Sequence, residues 1–383
     1  MNWSVPLFDP DLGPEEEQAL VDVIRSKWLT MGDRTKAFEA RFAQEIGVPV
    51  ALACNSATAA LHMALAALGL GPGDDVVVPS LTFVATANAV RYCGARPVFA
   101  DVESLDSWNV SASSLERALT PATRAVVVVH YAGYPCDMPA IMDLARRRGL
   151  FVVEDVAHAP CVELEGVSLG AWGDAGCFSF FSNKNMTTGE GGMVTSRRPE
   201  LAESLSRMRS HGMTTLTLDR HKGHAFGYDV VALGYNYRMT ELNAALGLVQ
   251  LAHVRQRNAV RAVHVAHYRE RLAELPVQVP FERFEGESAC HLMPVLLPEG
   301  MNRLGLMTAM REAGVQTSIH YRPVDTFSAY VEAGLGPSQA VPLTHRIGDG
   351  AVTLPLYPNM SREQIDHVCA SLEHALHKAG AAA

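Results

Sequence analysis

RAVVVVHYAGYPCDMPAIMDLARRRGLFVVEDVAHA, residues 124–159, decides the fold. It begins and ends with short β-branched runs, RAVVVVHY and LFVVEDV, and holds a helical pattern, DMPAIMDLARRR, between them. A continuous apolar run reads as a strand buried on both faces, and a helix joining two such strands implies a parallel crossover. The same texture extends outward through DVVVPS, RPVFADV, CFSFF and GGMVTS, with SATAALHMALAAL as a further helix. The expectation is an α/β fold, a three-layer domain on a mostly parallel sheet. A long helical pattern after Thr240 leads out of it, and beyond Pro276 strands and helices become shorter. A chain of 383 residues exceeds one ordinary core. Residues 1–250 are therefore expected to form the large domain with its N-terminal segment, and 251–383 a smaller α+β domain.

Composition narrows the function. The net charge of −9 disfavours nucleic acid and anionic membrane as partners. The start, MNWSVPLFDPDLGPEEE, is acidic and proline-broken, unlike a secretory signal. No apolar run approaches the roughly 20 residues of a membrane span. Seven cysteines, at 54, 93, 136, 161, 177, 290 and 369, are scattered with no CxxC. They read as reduced thiols of a cytoplasmic protein, with no metal or redox framework.

Three stretches carry candidate chemistry. In ACNSATAALHMALAAL a strand runs through Asn55-Ser56-Ala57-Thr58 into an Ala-rich helix. The free N–H groups of such a helix start suit a phosphate, and Ser56 equally suits a plain cap. In LFVVEDVAHA, Asp155 ends a buried strand with His158 three residues on. Ligands of open α/β sheets sit beyond strand C-termini, so Asp155 is a metal ligand, an acid/base, a partner for a ring nitrogen, or a cap. In FSFFSNKNMTTGEGG, residues 178–192, Lys184 stands among aromatic, small polar and glycine residues. Desolvation lowers a lysine's pKa and frees it for Schiff-base chemistry. Taken together, phosphate cradle, carboxylate and lysine match what pyridoxal phosphate (PLP) requires. A dinucleotide site fails on order, because GLGPGDD (69–75) follows a helix and precedes a strand.

These blocks, with SKWLTMGDRTKAFE, PSLTFVATANAV, HYAGYPCDM, RSHGM, LGYNYRMTELNAALGLVQL and SIHYRP, run through most of the chain. In this the sequence resembles the DegT/DnrJ/StrS family of PLP-dependent sugar aminotransferases, of the aspartate aminotransferase fold (fold type I). The resemblance implies roles. Lys184 matches the lysine that joins the cofactor aldehyde, and Asp155 the carboxylate facing the ring nitrogen. His158 falls beside the cofactor's phenolic oxygen, and Phe83 matches the aromatic that stacks on the ring. Ala57, Thr58 and Ser179 match phosphate contacts. Asn236 matches an asparagine reaching the phosphate of the neighbouring subunit, which implies a homodimer with shared active sites. His221, His224, His320 and Tyr321 are the candidate substrate residues. HKGH (221–224) is either a solvated loop or a patch steering an anionic sugar nucleotide.

The chain departs from the family at Phe181, where many members have His, at Ser182 in place of a proline, and at Asp325 in HYRPVDTF. These changes bear on substrate rather than on cofactor chemistry. His264/His267 with Glu270, and His374/His377 with His367, have helical metal-like spacing but read as solvated faces. The expected activity is amino transfer from an amino acid, L-glutamate by resemblance, to a keto sugar, most simply a nucleotide-linked keto-deoxysugar. A keto-cyclitol aminotransferase, a PLP-dependent sugar dehydratase and a non-catalytic PLP-binding regulator are the alternatives. Lys184 counts against the dehydratase, whose branch replaces the lysine with His.

Overall fold

The computed structural model describes residues 3–215, 227–336 and 340–380. The chain opens with α1 (Pro14–Ser26) and α2 (Asp33–Ile46), then alternates β1 (Val50–Cys54), α3 (Ala57–Ala67), β2 (Asp75–Pro79), α4 (Ala85–Tyr92) and β3 (Arg96–Ala100). There follow α5 (Ala112–Ala118), β4 (Thr123–Val129), α6 (Met138–Arg148), β5 (Phe151–Asp155), and the short pair β6 (Glu163–Leu164) and β7 (Val167–Ser168). Next come β8 (Ala175–Ser179), β9 (Gly192–Ser196), α7 (Leu201–Arg209) and α8 (Glu241–Leu272). The C-terminal part holds β10 (Met293–Leu296), α9 (Arg303–Glu312), α10 (Ser328–Val331), α11 (Pro342–Gly350), β11 (Ala351–Leu354) and α12 (Arg362–Gly380).

β1, β9, β8, β5, β4, β2 and β3 form one seven-stranded sheet in that order. From β8 to β3 every neighbouring pair is parallel, as the crossover reading of residues 124–159 requires. β9 runs antiparallel to both β1 and β8. Helices cover both faces, so the strands have no polar side to show. On one face Phe38 and Phe42 of α2 pack with Phe178, Phe180, Ile141 of α6 and Leu251 of α8. On the other, Leu61 and Leu65 of α3 pack with Val90 of α4 and Leu205 of α7.

α8 connects this body to the rest. The Thr240 side chain caps it by accepting the Asn243 N–H. Glu241 turns back to cap α2, its carboxylate accepting the N–H groups of Gly32 (2.8 Å), Arg34 (2.8 Å) and Thr35 (2.9 Å) and the Thr35 hydroxyl (2.7 Å). With 32 residues the helix spans roughly 48 Å at 1.5 Å per residue. Leu251 and Val254 belong to the sheet's core, whereas Val265, Tyr268 and Leu272 pack with β10, β11, α9 and α12 around a second core that also takes in Val5.

His264 Nε2 lies 3.0 Å from the Pro358 carbonyl and His267 Nε2 2.9 Å from Asp366. Among the described residues no group of three or more His, Cys, Asp or Glu is arranged to hold a metal ion. The seven cysteines are free thiols. No helix among the described residues is long and apolar enough to cross a membrane.

β5 carries two adjacent carboxylates, which the pleat sends to opposite faces. Glu154 is fully buried and accepts the N–H groups of Gly170 (2.9 Å), Trp172 (2.8 Å) and Gly173 (2.8 Å). Its fourth donor is His130 at 3.2 Å, whose Nδ1 already accepts the Cys136 N–H, so Nε2 holds the proton. Glu154→Gln keeps the shape but turns an NH2 group toward N–H donors. It is expected to lower stability by about 2–3 kcal/mol, seen as an earlier midpoint of urea unfolding.

Candidate active site

The C-terminal ends of β2, β4, β5 and β8 and the start of α3 surround a cavity of about 330 Å3. That is where the open-sheet rule puts a ligand. Asp155, the last residue of β5, lines it and is buried. Its carboxylate accepts the Thr86 hydroxyl (2.9 Å) and the Ala157 N–H (3.1 Å). Burial pushes its pKa up, against those two hydrogen bonds and the charge of Lys184.

Lys184 is held in a turn past β8, its N–H donating to the Phe181 carbonyl at 2.9 Å. Its side chain enters the same cavity, and no carboxylate among the described residues lies within ion-pair distance of it. Burial draws its pKa down to about 8, with the charge of Asp155 opposing. A neutral amine is therefore accessible near neutral pH, as a nucleophilic or basic lysine requires.

The α3 terminus forms another wall. Ser56 Oγ accepts the Ala59 N–H at 3.1 Å, so Ser56 does act as a cap. The N–H groups of Ala57 and Thr58, both lining the cavity, have no acceptor among the described residues. Unpaired donors at a helix start are the physical basis of a phosphate site. β9 begins hard against this turn: a Cβ on Gly192 would fall 2.5 Å from the Ser56 carbonyl carbon, so only glycine fits. Phe83, 57% exposed, contributes a flat apolar wall.

His158, Ser179, His320 and Tyr321 complete the set. His158 is buried and its pKa lies well below the usual histidine value, through burial first and then Lys184. Burial also draws His320 down to about 4, while its Nδ1 stands 2.9 Å from Thr353 Oγ1. Tyr321 is pushed up by burial and by Asp155. So nine of the sequence-predicted residues, Ala57, Thr58, Phe83, Asp155, His158, Ser179, Lys184, His320 and Tyr321, meet in one place.

Asn236 does not join them. It is exposed, bridged through its backbone to Ser210, and its carbonyl accepts the Asn55 amide at 3.3 Å. His221 and His224 lie outside the described residues. Of the family departures, Phe181 lines the cavity, and the Ser182 hydroxyl donates to the Gly189 carbonyl at 3.1 Å. Asp325 is buried away from the cavity, accepting the Ser80 hydroxyl and standing 2.7 Å from His345 Nε2. Sequence reasoning missed Thr86, the hydroxyl that orients Asp155, and the cavity residues Thr82, Asn183 and Glu190. Asn183 and Glu190 stood in the FSFFSNKNMTTGEGG stretch, and Thr82 and Thr86 in PSLTFVATANAV, with no pattern to single them out.

A lysine and a carboxylate at strand ends, facing a helix start free for phosphate, define a PLP-dependent enzyme of the aspartate aminotransferase fold. The chain belongs to the DegT/DnrJ/EryC1/StrS aminotransferase family, whose model matches residues 10–373. It is 38% identical over 374 residues to the spore coat polysaccharide biosynthesis protein SpsC of Bacillus subtilis, covering 96% of each chain. The solved aminotransferase TlmJ from Streptoalloteichus hindustanus is 34% identical with a TM-score of 0.90, covering 98% of this chain and 99% of that one. Spr1654 of Streptococcus pneumoniae, described as a sugar aminotransferase and solved in a PMP form, gives 29% identity and a TM-score of 0.92, with 98% and 100% covered.

In cofactor-free protein, the rate at which a small aldehyde labels Lys184 is expected to rise with pH and level off above about 8. A lysine in water would level off near 10.4. Rate against pH, with the site read by peptide mapping, checks this.

Proposed function

We propose that the chain is a sugar aminotransferase that moves an amino group from L-glutamate to a nucleotide-linked keto-deoxysugar in the cytoplasm. The observation that carries the reading is Lys184, with its pKa drawn down to about 8, sharing a cavity with Asp155 at the strand ends. The cavity suits PLP: among the described residues it offers an amine without an ion pair for the aldehyde, a carboxylate with two donors, N–H groups without an acceptor for the phosphate, and an exposed aromatic side chain. When bound, PLP supplies an electron sink and carries the amino group between the two substrates.

Each residue then has a task. The Lys184 amine would hold the cofactor through its aldehyde. With PLP bound, the Lys184 amine would take the α-proton of the amino donor at Nζ and give it up to the carrier carbon of the cofactor, acting as base and then acid. Asp155 keeps a proton on the ring nitrogen, and Thr86 and Ala157 keep the carboxylate aimed. Ala57, Thr58 and Ser179 hold the phosphate, and Phe83 covers the ring face. His320 and Tyr321 meet the sugar, and His221 and His224 its anionic part. The two half-reactions alternate in a ping-pong cycle. That SpsC is a polysaccharide biosynthesis protein supports a sugar as the acceptor.

Asn236 supports a homodimer with shared sites. It is exposed outside its own cavity yet adjoins Asn55, next to the phosphate-binding turn. In this reading it reaches the partner's phosphate.

Borohydride reduction of the yellow holoenzyme is expected to fix the cofactor on Lys184; an adduct mapped elsewhere defeats the reading. A transamination screen of keto sugar nucleotides and keto-cyclitols, with glutamate and glutamine, identifies the acceptor and donor. Asp155→Asn is expected to retain cofactor but lose turnover by several powers of ten, at about 1.4 kcal/mol per tenfold. Subunit mixing tests the shared site. Lys184→Ala and a bulky substitution at Asn236 are each expected to be inactive alone. In a heterodimer both defects fall in one site and leave the other whole, so activity returns; verified exchange without recovery counts against sharing.

A further inference from the structure

Hydrogen-bond accounting around the buried imidazoles assigns a proton that the cavity geometry alone leaves open. The backbone N–H of Ala132 points at His158 Nδ1, 3.3 Å away. A backbone amide only donates, so Nδ1 is the bare nitrogen and Nε2 carries the proton in the neutral ring. Nε2 lies 3.0 Å from the Tyr321 hydroxyl. It therefore donates to the tyrosine oxygen, and the tyrosine must turn its own proton elsewhere. Tyr321 lines the cavity, with its ring centroid 5.9 Å from that of Phe83.

A second ring closes the account. His291 is buried, with its centroid 4.5 Å from that of His158. Asn185, next to Lys184, gives both amide hydrogens away, to Asn258 Oδ1 (2.8 Å) and the Ala289 carbonyl (2.6 Å). Its Oδ1 is then the atom 2.9 Å from His291 Nδ1, so that nitrogen carries the proton. The two neighbouring imidazoles are thus held as opposite neutral tautomers. Burial suits both, since each titrates well below the usual histidine range.

We infer that Ala132 and His158 act as positioning groups that make Tyr321 a dedicated hydrogen-bond donor to an electron-rich, acceptor-only oxygen in the cavity. In this reading the His158 proton goes to Tyr321, and the tyrosine hydroxyl is the group that reaches the cavity oxygen. The inference rests on the proposed function for what occupies the cavity. Two oxygens there have the required chemistry: the ring oxygen of the cofactor, and the carbonyl oxygen of the keto acceptor, which must gain protons to leave as water. Tyr321 stays protonated throughout and stabilises charge on that oxygen by donation.

The tautomers are read without cofactor or activity. Nitrogen-15 imidazole shifts of the cofactor-free protein, assigned with His158→Gln and His291→Gln, are expected to show His158 protonated at Nε2 and His291 at Nδ1. The His158 pattern is expected to persist in Tyr321→Phe, because Ala132 sets it. His158 protonated at Nδ1 overturns the inference. In the loaded enzyme Tyr321→Phe separates the two oxygens. A shifted absorption maximum of the bound cofactor assigns the donor to the ring oxygen. An unchanged spectrum with the keto-acceptor half-reaction slowed on the order of tenfold, and the amino-donor half-reaction untouched, assigns it to the substrate. If the spectrum and both half-reactions are all unchanged, the inference is overturned even with the tautomers as stated. A wild-type protein that binds no PLP refutes the proposed function instead and leaves the tautomer result standing.

Discussion

Four donors converging on the Glu154 carboxylate hold the working end of the sheet together. Gly170, Trp172 and Gly173 come from the connection that leads into β8, and His130 from the end of β4. One buried group thus ties the ends of β4 and β5 to the connection that enters β8. A carboxylate in a dry core is tolerable only with its lone pairs satisfied, and here they are. Because side chains alternate along a strand, fixing Glu154 in one face fixes Asp155 in the other. Among the described residues Asp155 has two donors of its own, and it faces a cavity, so it keeps capacity for a further partner.

The site works by keeping its other groups neutral. Burial lowers the pKa of Lys184, His158, His291 and His320 alike, and Lys184 adds to the effect on each imidazole. Asp155 is the charge that pulls Lys184 the other way. The result is a small field with one buried carboxylate, Asp155, and one amine, around which uncharged rings supply directed hydrogen bonds; the second carboxylate of the lining, Glu190, is exposed. In a low-dielectric pocket such fixed donors act strongly because nothing has to reorganise.

How much of this was legible in the chain depends on the range of the interactions involved. The parallel sheet was, because RAVVVVHY and LFVVEDV record burial on both faces. Lys184 and Asp155 were, because each breaks the texture around it. Glu154 was not: beside Asp155 it looks like an ordinary neighbour, and its donors come from residues 130 and 170–173, brought near only by folding. Thr86 was hidden likewise, 69 positions from the carboxylate it orients. The tautomers of His158 and His291 depend on Ala132, a residue whose side chain says nothing, and on Asn185, which stood beside Lys184 without a visible task. The roles of His221 and His224 lay in a stretch outside the described residues.

β9 gives the lysine an unusual tether. Elsewhere in the sheet, consecutive strands are joined by crossovers long enough to absorb insertions. The segment that carries Lys184 is a hairpin, closed by the Ser179–Gly192 pairing and by Phe180 N–H donating to the Gly191 carbonyl at 2.9 Å. Both of its ends are therefore stitched to adjacent strands, and the second stitch is a glycine pressed against the α3 turn. Added or deleted residues between 184 and 188, where the segment is covered, would shift the Lys184 side chain relative to the cavity. The length of this segment should thus be among the least negotiable traits of the molecule in divergence or engineering, whereas its exposed rim can vary freely.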